Sequence, residues 1–218
     1  MEEKSETEEF KEYYRKKKVT GTYDAQREGS EDRKRKRALE LKYFLELIQK
    51  KDREKVLELG CSSGFLTEWL GEVTAIDTSE GMLKIASKKN PRAKCIPGDM
   101  FKLKFKPKSF DKVVSMRVWN HLQEKDLRGA IRQARRVLKK GGCIIFDAEE
   151  KNMARKTIAY LYQKIFKITG YKIYQYSLQE LKKILRQEGF KIEETRFLKH
   201  GIGRQIIIRA KKLDKNGI

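Results

Sequence analysis

Proline, histidine, asparagine and cysteine are all scarce in this 218-residue chain, which holds three prolines, two histidines, four asparagines and three cysteines. With so little proline, and with neither an internal repeat nor a low-complexity tract, the chain does not read as a repeat array or a linker. Cys61, Cys95 and Cys143 are odd in number and stand at wide, unrelated spacings. They supply neither a disulfide framework nor a zinc ligand set, and no metal is expected. Each lies in or beside an apolar run, so three reduced, buried, structural thiols are expected. No apolar stretch approaches the ~18 residues of a membrane-spanning helix. The N-terminus is acidic, where a secretory leader is basic and then apolar. The chain is therefore expected to be soluble and cytoplasmic.

What the chain has in quantity is charge. Lys and Arg outnumber Asp and Glu by 52 to 31, a formal charge of +21. One reading is an acidic partner or substrate, or contact with an anionic surface. The other is a solvated surface rich in lysine. Charged residues make up 38% of the chain, and high charge with few heat-labile amides is a hyperthermophile habit. Both readings stay open here. The length suits a single domain with a full-sized core.

Residues 1–18 are nearly all charged or aromatic and read as helical or frayed. Residues 19–30, with Gly21, Asp24, Gly29 and Ser30, read as a loop. A helix is predicted over about Glu31–Lys50, with Leu39, Tyr43, Leu47, Phe44 and Ile48 as its apolar stripe. From Lys55 onward short apolar runs alternate with helical patterns. The strands expected are Val56–Leu59, Val73–Ile76, Ala93–Ile96, Phe110–Ser115 and Cys143–Asp147. Helices fall over about Phe65–Gly71, Glu80–Lys89 and Glu124–Lys139, the last stopped by Gly141-Gly142 as a C-cap signal. Short strands that are apolar throughout and separated by helices imply a parallel sheet covered on both faces. Five such steps are too few for a barrel, which leaves the open, doubly wound α/β sheet.

The last third differs. Lys151–Ile168 reads as an amphipathic helix. Ser177 and Glu180 form a capping box for a helix to about Glu188, stopped by Gly189. Phe190–Leu198 and Arg204–Ala210 flank a Gly201–Gly203 turn, and two strands joined by so short a connection must run antiparallel.

The chemistry lies in Val56-Leu57-Glu58-Leu59-Gly60-Cys61-Ser62-Ser63-Gly64-Phe65, a buried strand, a small-residue loop and a helix start. Small residues are needed where a ligand approaches backbone closely. Asp77, at the tip of the second apolar strand, is placed to accept hydrogen bonds from a ribose diol. The dinucleotide fingerprint G-x-G-x-x-G fails, because its second and third positions are Ser62 and Phe65. The spacing matches E-x-G-x-G-x-G instead, with Ser62 in the middle glycine's place. Here the sequence resembles the class I methyltransferases that use S-adenosylmethionine. Four further places extend the resemblance in order: Asp77 to Leu83, Gly98-Asp99-Met100, Phe110–Ser115 with His121-Leu122, and Arg136 to Gly142. Together they cover about residues 54–148. Ser177–Phe190 and the final hairpin are similar to the family's last helix and last two strands.

The resemblance implies a seven-stranded Rossmann-like sheet of order 3-2-1-4-5-7-6, mostly parallel with an antiparallel last strand. It also implies a cap or lid over residues 1–50, a methyltransferase domain over 51–218, and S-adenosylmethionine as cofactor. Glu58 would orient the methionine amino group, and Gly60 and Gly64 would admit the methionine backbone. Cys61 and Ser62 would supply main-chain contacts, with Ser62 keeping a negative φ. Asp77 would bind the ribose hydroxyls, and Thr78 and Met82 would pack by the adenine. Asp99 would accept from its exocyclic amine, while Met100 would donate a backbone N–H to the ring. Ser115 and Arg117 would face the methyl donor. The electrophile comes with the cofactor, so the protein has mainly to hold a nucleophile in line and exclude water, which can lower a barrier by ~7–11 kcal/mol. A base is needed only for a protonated acceptor. The candidates are His121, Tyr13, Tyr14 and Tyr23, with His121 and Tyr23 foremost.

Bland alternatives stand beside these assignments. His121 also suits a structural histidine, and His200, in a late turn, suits the surface. Tyr13, Tyr14, Tyr23 and Arg27 form either a lid or ordinary helix packing. The aromatic and basic stretch Lys151–Tyr176, which includes Tyr160, reads as a wall or lid of the acceptor pocket, an RNA contact, a membrane contact or plain packing. The run Arg33–Arg37 reads as the solvated face of a helix start ahead of a nucleic-acid footprint. Three functions follow: methyl transfer to a small or medium-sized acceptor at O, N or C, methyl transfer to RNA, and a non-catalytic cofactor-binding or scaffold protein.

Overall fold

A computed structural model of the chain describes residues 6–16, 29–152, 173–200 and 203–214. Its helices are α1 (Glu6–Arg15), α2 (Glu31–Ile48), α3 (Phe65–Leu70), α4 (Glu80–Lys89), α5 (Glu124–Val137) and α6 (Leu178–Gln187). The strands are β1 (Val56–Leu59), β2 (Thr74–Asp77), β3 (Lys94–Pro97), β4 (Phe110–Ser115), β5 (Leu138–Glu150), β6 (Gln175–Tyr176), β7 (Phe190–His200) and β8 (Gly203–Lys212). They form one sheet in the order β3-β2-β1-β4-β5-β8-β7, with β6 paired to β5 off that path. The first five strands are mutually parallel, and β8 runs antiparallel to both of its neighbours. The two-residue β6 is an addition to the seven strands expected; without it the order is the one anticipated.

Every residue of β1 is buried, as its unbroken apolar run requires of a strand covered on both faces. One face carries α5 and α6, whose Leu127, Ile131, Ala134, Leu181 and Leu185 pack with Leu57, Leu59 and Ile144. The other carries α2, α3 and α4, with Phe44, Leu47, Leu66 and Leu83 against Val56, Val114 and Ile145. The capping box on α6 forms as expected: the Ser177 hydroxyl accepts from the Glu180 N–H at 3.1 Å, and the Glu180 carboxylate accepts from the Ser177 N–H at 2.7 Å.

Two elements depart from the sequence reading. In α2 the buried positions are Arg37, Glu40, Leu41, Phe44, Leu47 and Ile48, whereas Leu39 is 38% exposed. The inward stripe has helical spacing but begins with two charged residues, so apolar periodicity alone misplaces it. The pair Gly141-Gly142 does not cap α5, which ends at Val137 as Leu138 turns extended and pairs with Phe110. The glycines lie inside β5 at a shift of register, where a Cβ on Gly142 would stand 2.8 Å from the Asp111 carbonyl oxygen. No helix among the described residues is long and apolar enough to cross a membrane.

Candidate functional site

Strand order reverses between β1 and β4, and in an open sheet the crevice at the carboxyl ends of such strands receives the ligand. A cleft of about 720 Å³ opens there, lined by Gly60, Ser62, Asp77, Thr78, Met82, Gly98, Asp99, Met100 and the 116–118 turn. Lys11 and Tyr14 of α1 close it from above. A second chamber of about 370 Å³ adjoins it, walled by Arg37, Glu58, Cys61, Ser63 and Phe65. Gly60, Ser62, Met116 and Arg117 border both chambers.

The loop after β1 is wound tightly. Gly60 has φ +71°, and its N–H and that of Cys61 both donate to the Ile76 carbonyl, at 2.8 and 3.0 Å. A Cβ on Gly60 would meet Val118 Cγ2 at 2.5 Å, so glycine is what lets the loop and the 116–118 turn approach. Ser62 adopts φ +50°, not the negative value expected of it. Its left-handed backbone aims its N–H at Asp77 Oδ2 (2.9 Å), and its hydroxyl lies 3.6 Å from Met82 Sδ. Asp77 Oδ1 also accepts from the Ser79 N–H at 2.8 Å. A carboxylate has about four acceptor sites, so Asp77 keeps capacity for a ligand hydroxyl beside its backbone donors. Burial raises the Asp77 pKa, against the pull of these backbone donors.

Glu58 is buried in the floor of the smaller chamber and accepts from Thr67 Oγ1 at 2.7 Å. Burial pushes its carboxyl up to about 8; the Thr67 bond works against this and the nearby Asp77 charge adds to it. Arg37 lies across the same chamber, with its guanidinium stacked 3.6 Å from the Phe65 ring centroid. Burial also raises the Cys61 thiol pKa, so Cys61 is not a thiolate nucleophile. Cys61 and Cys143 are buried and Cys95 is half-buried, all as free thiols.

At the opposite end Asp99 Oδ1 accepts from the Phe101 N–H, and Oδ2 accepts from Lys11 Nζ, each at 2.9 Å. The ammonium of Lys11 also sits 5.1 Å from the Phe101 ring centroid. Arg15 Nε donates to the Thr78 carbonyl at 3.3 Å, so α1 is tied to the cleft wall at both Thr78 and Asp99.

The structure thus brings Glu58, Gly60, Cys61, Ser62, Asp77, Thr78, Met82, Asp99, Met100 and Arg117 to the two chambers. Three other assignments are corrected. Gly64 lines neither chamber: a Cβ there would strike Asn90 Nδ2 at 2.4 Å, so it serves the packing of α3 on α4. The Ser115 hydroxyl is buried and donates to the Leu59 carbonyl at 2.9 Å, bracing β4 to β1. His121 is buried in a short 3₁₀ turn, and its neighbours Val118 and Leu122 reach the cleft in its place. Tyr14 lines the cleft, whereas Tyr13 is 37% exposed and meets it edge-on. Tyr23, Arg27, Tyr160 and the predicted helix Lys151–Ile168 lie outside the described residues, apart from Lys151 and Asn152.

The sequence reading missed Lys11, Arg37, Glu40 and Asp147. Arg37 was folded into the run Arg33–Arg37, whose first three residues are indeed exposed. Asp147 closes the apolar stretch Cys143–Phe146 as Asp77 closes Thr74–Ile76, a signal that could have found it.

Residues 57–146 match the family model described as a methyltransferase domain. An uncharacterized protein of Methanocaldococcus jannaschii is 31% identical over 172 residues, covering 69% of this chain and 67% of its own length. The demethylmenaquinone methyltransferase of Thermotoga maritima is 34% identical over 123 residues, 53% of each chain. The chain thus spans about two thirds of the first relative's length and about half of the second's. Magnesium protoporphyrin IX methyltransferase from Synechocystis PCC 6803, solved with bound SAH, shares the fold at a TM-score of 0.74 and 18% identity, over 94% of this chain and 99% of its own. Taken with a cleft walled by the motif residues, these matches establish that the chain belongs to the class I S-adenosylmethionine-dependent methyltransferases.

Proposed function

We propose that this protein transfers a methyl group from S-adenosylmethionine to a small or medium-sized acceptor. The observation that carries the reading is the division of the cleft: Gly60, Ser62, Met116 and Arg117 border both chambers, with Asp77 and Asp99 on one side and Glu58 and Arg37 on the other. A nucleoside with an amino-acid tail matches that division. Asp77 suits the ribose hydroxyls and Asp99 the adenine amine. Glu58 suits the ammonium of the tail and Arg37 its carboxylate, and the sulfur falls at the shared border. The glycine at position 60, whose Cβ would collide with Val118, keeps the passage narrow and lined by backbone. The cofactor supplies an electrophilic methyl carbon. The residues of the chain contribute orientation and exclusion of water, which general estimates place at ~7–11 kcal/mol. The N-terminal segment acts as a cap in this reading, with Lys11 and Tyr14 roofing the nucleoside chamber. Tyr14 is the one phenol among the described residues that line the two chambers.

The demethylmenaquinone methyltransferase relative, a small-molecule enzyme by its name, supports a small acceptor. The formal charge of +21 favours an anionic acceptor or RNA. A labelled-methyl transfer assay against fractionated metabolites, RNA and protein tests the proposal. Label in a small-molecule fraction supports it. Label confined to RNA, with affinity falling steeply as salt rises, replaces the acceptor class. Cofactor binding with no transfer to any fraction indicates a non-catalytic role.

A further inference from the structure

Behind the shared border of the two chambers lies a buried polar cluster that the cofactor contacts leave unused. Arg117 stands in the left-handed region at φ +59°, a conformation that costs a non-glycine residue of order 1–3 kcal/mol unless its surroundings enforce it. Its N–H donates to Asp147 Oδ1 at 2.5 Å. Its guanidinium forks onto Glu40 of α2, with Nε to Oε1 at 3.0 Å and Nη2 to Oε2. Gln205 of β8 ties the two acids together, its Nε2 donating to Glu40 Oε1 at 2.6 Å and to Asp147 Oδ2 at 2.7 Å. Glu40 and Asp147 are completely buried. The Gln205 carbonyl oxygen is itself buried without a partner. Such a loss is accepted when both amide hydrogens are drawn to carboxylates.

Among the described residues of the cluster two carboxylates face one guanidinium, so with both acids ionised it carries a net negative charge. It stands directly behind the turn that borders both chambers. Burial and the Glu40 charge push the Asp147 carboxyl up to about 7, as expected where a second negative charge lacks its counterion.

We propose that Glu40, acting through Arg117, positions the 116–118 turn, and that the surplus carboxylate of this cluster biases the site toward a cationic over a neutral sulfur at the chamber border. The inference rests on the methyltransferase reading. It assigns this chain a means of discriminating S-adenosylmethionine, a sulfonium, from S-adenosylhomocysteine, a thioether of otherwise equal shape.

The test is calorimetric titration of both ligands, at a pH of about 8 where the wild-type acids are ionised, into the full-length wild type, Glu40→Gln and Asp147→Asn, with thermal unfolding as a check on each fold. Removing either negative charge should lower the preference for the sulfonium by about 3- to 10-fold. A cluster that merely holds the fold would shift both ligands by the same factor. Equal shifts, no shift, or a change of the wrong sign overturns the inference. Should Glu40→Gln fail to unfold cooperatively, the Asp147→Asn change decides. If the wild type binds neither ligand, the methyltransferase reading itself fails, and this inference falls with it.

Discussion

The larger chamber of the cleft takes its wall from residues 60–122, joined only by Lys11 and Tyr14, while the smaller one sets Arg37 of α2 against residues 58–66 and the 116–117 turn. Their chemistry differs in the same way. The larger chamber presents carboxylates already anchored by backbone N–H groups, as at Asp77 and Asp99. The smaller chamber presents a buried acid that accepts from the Thr67 hydroxyl and a guanidinium stacked on the Phe65 ring. A chamber built from consecutive loops is rigid by covalent connection. One built from distant elements depends on whether its helix stays docked.

Substitutions can break this contrast at several points. The largest effect is expected at Gly60, where both chambers meet. Gly60→Val places a branched side chain against Val118 at a backbone φ of +71°. Binding of S-adenosylhomocysteine should fall by more than about 100-fold, with a loss of stability of about 1–3 kcal/mol from clash and strain. Calorimetry and urea unfolding check the two parts.

A second test isolates the tail chamber. The Glu58 carboxyl titrates near pH 8 in the folded protein, and an ammonium tail favours its ionised form. Affinity for S-adenosylhomocysteine should therefore rise from about pH 6.5 to 8, by at most about tenfold per unit, and level off above. Glu58→Gln should flatten that slope. The same group makes the ligand-free protein less stable at high pH. Its folded pKa is raised above the unfolded value near 4.3, so its contribution is fully present below about pH 4 and is lost as pH rises through about 8. Asp147 acts in the same direction through about 7. The thermal midpoint should fall between pH 5 and 8, and less so in Glu58→Gln.

The smallest change is expected at Lys11, whose ammonium occupies the Asp99 oxygen that an adenine amine would use. Asp99 is 32% exposed although the Lys11 side chain is only 10% exposed, so the pair is partly screened by water and of modest worth. Lys11→Met should tighten S-adenosylhomocysteine binding by less than about fivefold at low salt, with the difference fading as ionic strength rises. Weaker binding would instead mark α1 as a roof that the ligand needs.

The same contrast governs how much the sequence could reveal. Parallel strands buried on both faces announce themselves as apolar runs, and β1, β4 and α4 begin and end where the pattern places them. Asp77 and Asp99 are legible because the one ends its strand and the other stands two residues beyond its own, so chain order is also spatial order. Arg37 and Glu40 are not legible. They occupy inward positions of α2 that an apolar search assigns to solvent, and their partners Phe65, Arg117 and Gln205 are brought to them only by the closed sheet. Ser115 and His121 fail for a related reason: proximity to the end of β4 does not determine which side chains turn toward the cleft and which spend their polar atoms on neighbouring structure.

The central claim is that Asp77 and the loop after β1 together hold an adenosyl group. Calorimetric titration of S-adenosylhomocysteine into the wild type and Asp77→Ala addresses it most directly. Loss of two charge-assisted hydrogen bonds should weaken binding by at least about 30-fold. An absence of binding to the wild type, or equal affinity in the variant, would contradict the account.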